Sequence, residues 1–268
     1  MSKFPLTQTE LMSQAPALFT NEPHYDVSDK YHFIPTIDVI NEIKANNWHP
    51  VSVSEASVRD EDKEGYQQHL VRFRHFDDLL APQDNAVELL LFNSHDRSKS
   101  FSISAGIYRF VCSNGLVIAD SVFESYKIKH LGDRENDVAR AVANITAIKP
   151  KLMEKIDKLE SIELSELERE SFARSSIPLR FGKQLQVDYA DLLVPHREED
   201  TKNDLYTTLN VIQENLLRGN ISGSNKETGR RFTSKEITSI SKDVDINQGL
   251  WDIAERISSI KEPLALAA

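Results

Sequence analysis

The chain has 268 residues, 40% hydrophobic and 28% charged, a balance that can bury a core and excludes wholesale disorder. Cys112 is the one cysteine, which excludes a disulfide framework and a Cys-rich zinc site; no apolar run approaches the roughly 18 residues of a membrane span, and residues 1–10 lack a signal-peptide pattern, so a cytoplasmic location is expected. Forty-two acids against 32 Lys and Arg give a net charge of −10, so any nucleic-acid surface has to be a local basic stripe on an acidic body.

The first thirty residues carry Pro5, Pro16 and Pro23 without sustained periodicity. They read as an irregular arm with one helical turn near Thr9 to Gln14. Order is expected from Tyr31-His32-Phe33-Ile34. Thr36 then caps a helix in which Ile37, Ile40 and Ile43 keep helical spacing, and Asn46-Asn47 ends it. Residues 51–54 and 69–75 alternate as strands do. The second of these places Val71 and Phe73 on one face and Arg72 and Arg74 on the other. Residues 88–92 and 100–107 read as two more strands around the polar loop Asn93-Ser94-His95-Asp96-Arg97, which implies an antiparallel sheet. Residues 108–119 fit strand or helix, with Ser113-Asn114-Gly115 as a break or tight bend, and residues 126–129 alternate again.

From Asp133 the period becomes helical: Val138, Val142, Ile145 and Ile148 form a stripe, and Pro150 kinks or divides the segment. Ser165 with Glu168 is a capping box, Asn203 starts a helix with the seam Leu205, Leu209, Ile212 and Leu216, and Gly219 stops it. Thr233 with Glu236 repeats the capping-box pattern before a last helix marked by Leu250, Ala254 and Ile257. Residues 221–232, rich in Gly and Ser, read as a mobile loop between helices. The expected class is α+β: an antiparallel sheet with helices in the N-terminal half and an all-α C-terminal half. The expected organisation is an irregular arm at 1–29, an α+β domain at 30–150 and a helical domain or extension at 151–268.

The motifs of common chemistry are absent: no P-loop, GxGxxG, GxSxG or HExxH occurs. Cys112 with His95 or His130 could form a nucleophile and base, although a lone cysteine between Phe110-Val111 and Gly115 is more often a packing residue. His69 and His75 share a strand face but stand about 20 Å apart at the strand rise, too far for one ion. His95-Asp96 is a candidate ligand pair, set against a turn that satisfies its own backbone. No catalytic residue, metal ligand or cofactor is assigned. The basic positions carry the binding hypothesis. Arg72 and Arg74 share one strand face, Lys127 and Lys129 another, and Lys99 lies in the loop between two strands. Such cations can track phosphates while Tyr126 or Tyr108 stacks a base; the alternative is an exposed sheet face with alternating charge. Lys226, Arg230 and Arg231 form a second basic group.

Several stretches together resemble the phage- and plasmid-associated family called domain of unknown function 932. They are Tyr31-His32-Phe33-Ile34-Pro35-Thr36, Asn93-Ser94-His95-Asp96, Arg109-Phe110-Val111-Cys112-Ser113-Asn114-Gly115-Leu116, Asn210-Val211-Ile212-Gln213-Glu214-Asn215 and Asn247-Gln248-Gly249-Leu250-Trp251. The resemblance runs from about residue 24 to 256. It implies a mobile-element context and brings no catalytic residues. The family's loop often reads Asn-Ser-His-Asp-Gly, and Arg97 stands here at the glycine position. A fainter similarity, over about 30–150, is to the β-β-β-α core of Rad fifty-two type single-strand annealing proteins, with Asn47-Trp48 where a Gly-Trp often follows the helix.

The leading expectation is therefore a non-enzymatic protein that binds single-stranded DNA and assists annealing or recombination. Arg72, Arg74, Lys99, Tyr126, Lys127, Lys129, Arg230 and Arg231 would form its contacts. A second reading is a host-defence antagonist that binds a protein, its acidic balance steering it to a basic partner. A third is a hydrolase or nuclease using His95, Asp96 and Cys112. The expected partners are single-stranded DNA or a host defence protein, together with self-association into an oligomer and no membrane.

Overall fold

Alternating apolar residues in the first half pair into one sheet, and helical periodicity in the second half builds a bundle. The structure, a computed structural model, describes residues 4–27, 33–81, 83–110, 114–117 and 134–265. The chain divides at Gly115 and again at Pro150 into two compact units. The class is α+β.

In the first unit, α1 (Gln8–Gln14) and α2 (Thr36–Ala45) precede a meander of β1 (Trp48–Glu55), β2 (His69–His75), β3 (Asn85–Asn93), β4 (Ser102–Arg109) and β5 (Asn114–Val117). The strands lie in sequence order, and β1 to β4 pair antiparallel. A short helix, α3 (Phe76–Leu80), links β2 to β3. The N-terminal segment is tied down. Leu6 N–H donates to the Pro50 carbonyl at 2.7 Å, Thr7 and Glu10 close a capping box on α1, and Leu11, Ala15, Ala17 and Leu18 are buried. The expected irregular arm thus contains a capped helix whose apolar side joins the core.

Alternation predicts that one face of the sheet meets solvent. Instead β3 is buried along its whole length and β2 at every residue but His75. Two further local readings change. Thr36 is the first residue of α2 rather than its cap, because its hydroxyl is engaged by side chains from the sheet. Asn114 and Gly115 open β5 instead of making a tight bend.

The boundary at Pro150 falls inside α4 (Arg134–Ser161), which continues through the proline. In the second unit α5 (Glu166–Phe181) starts at the Ser165–Glu168 capping box, as expected. Asp204, one residue past the expected start, caps α6 (Leu205–Arg218) by accepting from Thr207 N–H at 2.6 Å. Helix α6 is buried over most of its circumference, so its polar residues find partners inside. Asn215 donates to the carbonyls of Leu192, Val194 and Val211, and Gln213 pairs with Asn247 on α7 (Ile240–Ala265). Gly219 ends α6 at φ 82°, and a Cβ there would meet the Lys235 backbone at 2.6 Å, so both conformation and space select glycine.

The helical half also holds three short strands that its sequence pattern does not announce: β6 (Leu185–Val187), β7 (Ser222–Asn225) and β8 (Arg231–Thr233). Strands β7 and β8 occupy the segment read as a mobile loop, and β8 takes the place of the capping box expected at Thr233. The turn between β7 and β8 is built locally. The Asn225 side chain accepts from the N–H of Glu227 and of Thr228, and Gly229 supplies φ 67°.

Trp48 anchors the first unit. Its side chain is fully buried at the start of β1, and Nε1–H donates to Thr146 Oγ1 on α4 at 3.1 Å. Trp48→Ala is expected to destabilise folding by about 3–5 kcal/mol through lost burial and the cavity left behind. Chemical denaturation checks this, and a midpoint like that of the unmodified protein would refute the anchoring role.

Candidate nucleic-acid interface

Arg72 and Arg74 project from the same face of β2, as alternation requires, but that face is covered. Their side chains are 5% and 1% exposed. The cause is Glu88 on β3, fully buried and directly opposite Arg74 in the register. Its carboxylate accepts from Arg72 Nη1 at 2.8 Å and from Arg74 Nε at 2.9 Å. The Arg74 guanidinium also lies 3.8 Å from the Tyr108 ring centroid and 4.7 Å from that of Phe110. The expectation that these two arginines form a solvent-facing phosphate track is therefore corrected: they are interior ion-pair residues.

A second buried polar cluster joins α2 to the sheet. Thr36 Oγ1 lies 2.8 Å from His69 Nε2 and 3.3 Å from His95 Nε2, and it accepts from Asn93 Nδ2 at 3.0 Å. Burial pushes the His69 imidazole down to about 3 and that of His95 down to about 4, from an ordinary value of 6.5. Both rings are thus neutral near pH 7. They act as hydrogen-bonding struts between α2, β2 and the loop after β3. That loop folds on itself: the Ser94 hydroxyl donates to the Lys99 carbonyl and accepts from Lys99 N–H, and Asp96 accepts from Ser98 N–H. Among the described residues, no group of three or more His, Cys, Asp or Glu is arranged to hold a metal ion.

The exposed cations gather in the second unit. Residues 174–187 and 222–233 together contain six Lys and Arg and one acid, Glu227. Arg180 is used internally, donating to the carbonyls of Leu216 and Lys235. Lys183, Lys226, Arg230 and Arg231 remain exposed, as does Arg174, which is paired with Glu170 one turn earlier on α5. The register sets their frame. Gln186, Ser224 and Arg231 align across the three strands, and Val187, Gly223 and Phe232 form the adjacent row. Gly223 has to be small, because a Cβ would stand 2.8 Å from both the Phe232 ring and Val187 Cγ1. Arg174 lies over the Tyr189 ring at 4.0 Å. Two clefts share Arg174 and Gln186: one of 710 Å³ that reaches Tyr189 and Arg231, and one of 630 Å³ that reaches Lys183 and Lys226.

The family model described as Domain of unknown function (DUF932) matches residues 23–251. The chain belongs to this family. Two proteins of Escherichia coli (strain K12), UPF0380 protein YafZ and UPF0380 protein YfjQ, are each 33% identical to it over 254 residues, covering 94% of this chain and 92% of theirs. No solved structure matches it.

In this DUF932 chain the sequence-derived contact residues separate into distinct settings. Arg72 and Arg74 come together on Glu88 in the interior. Lys99 is half-buried in the loop beyond β3, and Arg230 and Arg231 stand exposed on the β7–β8 turn and on β8. Tyr126, Lys127 and Lys129 lie outside the described residues, as do Cys112 and His130. Sequence reasoning missed Arg174, Lys183 and Tyr189. Arg174 sits within α5, and β6 is only three residues long, so no periodic signal links them to the 226–231 cations. Among the described residues no helix is long and apolar enough to cross a membrane.

Removing Glu88 would leave two buried guanidinium groups without their carboxylate. Glu88→Ala is expected to lose about 3–5 kcal/mol of stability, measured by urea denaturation. A loss below about 1 kcal/mol, the scale of an exposed pair, would show that the site is open to water. The neutral histidines predict a pH dependence of opposite sense to that of a charged His pair. Unfolded imidazoles take up protons near 6.5, whereas the folded ones resist to about 3 and 4. Stability is therefore complete above about pH 6.5 and falls as the pH drops towards 4, by up to about 1.4 kcal/mol per pH unit for each histidine. His69→Gln should flatten that limb of the urea-midpoint profile; an unaltered profile would exclude His69 as a contributor.

Proposed function

We propose that this protein binds single-stranded DNA through the β6–β7–β8 face of its second unit and assists annealing or recombination without covalent chemistry. The observation that carries this reading is the exposed group Arg174, Lys183, Lys226, Arg230 and Arg231, gathered around one small sheet on a chain whose net charge is −10. An acidic body repels a polyanion everywhere except where cations are concentrated, so the local group defines the approach. The two clefts flanking β6 give a strand a path past cations on both sides. Tyr189 adds an aromatic ring within one cleft, and stacking of bases on such rings is sequence-tolerant. Arg72 and Arg74 have no part in this surface, since their charge is satisfied in the interior.

Phosphate contacts release counterions, so binding should weaken steeply with salt, by about 0.7 in the log–log slope per phosphate neutralised on a single strand. Fluorescence anisotropy with a labelled oligothymidylate, titrated across a salt series, reads this directly. Replacing Lys226, Arg230 and Arg231 together by Ala should flatten the slope by about 2, since three phosphates would no longer be neutralised. The melting temperature should hardly move, because all three side chains are exposed. No oligonucleotide binding at low salt, or an unchanged affinity and slope in the triple variant, would remove this reading.

A further inference from the structure

The first unit contains a pocket of 410 Å³, a size suited to a small organic ligand, near the end of β2. Arg74 and Phe110 line it, and the guanidinium lies against the Phe110 ring, so the wall is flat, aromatic and cationic. Arg74 is 1% exposed and is held in place through Nε by Glu88, yet its Nη2 has no hydrogen-bond partner among the described residues. Asp78, on α3, lines the same pocket. Its Oδ1 accepts from Lys149 Nζ at 2.6 Å, while its buried Oδ2 has no partner among the described residues. Two of the side chains that line this pocket, Arg74 and Asp78, thus each hold a buried polar atom without a partner, and each is fixed by a second contact. A buried polar atom without a partner is costly, which makes two on the lining of one cavity an arrangement that a ligand would relieve.

The remaining lining selects the ligand's charge. Asp78 and Asp84 both border the pocket, so phosphate and other simple anions are disfavoured, and Leu79 and Phe4 add apolar surface. The complementary ligand is neutral, planar and aromatic, with an acceptor and a donor on its edge. We propose that this pocket binds a nucleobase, and that guanine is the base it fits best. Arginine donates to the O6 and N7 acceptors of guanine, and a carboxylate accepts from its ring and exocyclic N–H groups. Phe110 offers the face on which the ring packs. The site is independent of the basic sheet of the second unit, and the ligand can come from a free nucleoside or from a base of a strand.

Isothermal titration of the full chain with guanosine tests this. Guanosine has no phosphate, so the titration is blind to the phosphate-binding surface, and failure here is distinct from failure of strand binding. Saturable one-to-one binding is expected. Asp78→Asn should weaken it by about tenfold or more, the loss of a hydrogen bond to a charged group. Adenosine, which lacks the O6 acceptor, should bind more weakly than guanosine. Gln83→Trp places a bulky side chain at an exposed position on the rim and should abolish binding without disturbing the core, which covers the case in which Asp78→Asn fails to fold. Displacement of guanosine by an oligothymidylate carrying one internal guanine would identify a strand as the source of the base; no displacement would identify the free nucleoside. Absence of guanosine binding up to its solubility limit would overturn the proposal. So would binding that is indifferent to both Asp78→Asn and Gln83→Trp in folded protein.

Discussion

Glu88 is a carboxylate with no exposure in the interior of a five-stranded sheet, and the polar interior of the first unit is arranged around it. An isolated charge there would be prohibitively desolvated, so the fold has to bring cations to it. Pairing of β2 with β3 places Arg74 directly across the ladder and Arg72 on the same face two residues away. The Tyr108 and Phe110 rings also meet the Arg74 guanidinium, where their quadrupoles present negative faces. A one-residue slip between β2 and β3 would turn both arginines and Glu88 to opposite faces. The triad is therefore a register lock as well as a charge balance.

The cluster at Thr36 solves a different problem with neutral groups. Helix α2 must be fixed to the sheet where β2 begins and β3 ends, a junction made of polar residues. One hydroxyl serves two imidazoles and an amide, and the rings have to stay uncharged because burial penalises the imidazolium more than the neighbouring groups favour it. Arg97, in the adjoining loop, sits at φ 64°, a left-handed conformation that a side chain resists. Glycine would adopt this conformation without that resistance. Arg97 adopts the strained conformation because the flanking Ser94 and Asp96 hydrogen bonds close the loop around it.

The sheet of the first unit was legible because its strands are long enough to alternate, and the helices of the second because capping residues and apolar seams mark their starts and faces. Ser165 with Glu168 and Gly219 specify their positions through local hydrogen bonding and local φ, which sequence carries directly. Burial of the second sheet face was not legible. Arg72 and Arg74 have the spacing of exposed residues, and only the partner strand's Glu88 reveals that they are inside. Nor were β6 to β8 legible. Strands of three or four residues show no period, and residues 222–225 are Ser, Gly, Ser and Asn, which read as loop until a neighbouring strand supplies their hydrogen bonds.

Arg74 and Arg231 illustrate how much the same residue depends on what its strand pairs with. Both are strand arginines in a row that crosses a sheet. Arg74 faces a carboxylate across the ladder and is enclosed by its surroundings, so its charge is neutralised within the molecule and its remaining donor faces inward. Arg231 faces Ser224, with Gln186 beyond it, and neither neighbour can neutralise it. Its charge is left for solvent or for an anion from outside. Net charge alone cannot make this distinction: at −10 the chain has ten fewer cations than acids, yet five exposed cations surround one small sheet. Electrostatic attraction between exposed charges is screened within about 8–10 Å at physiological salt, so a polyanion approaching that sheet responds to the charges beside it far more than to the molecule's total.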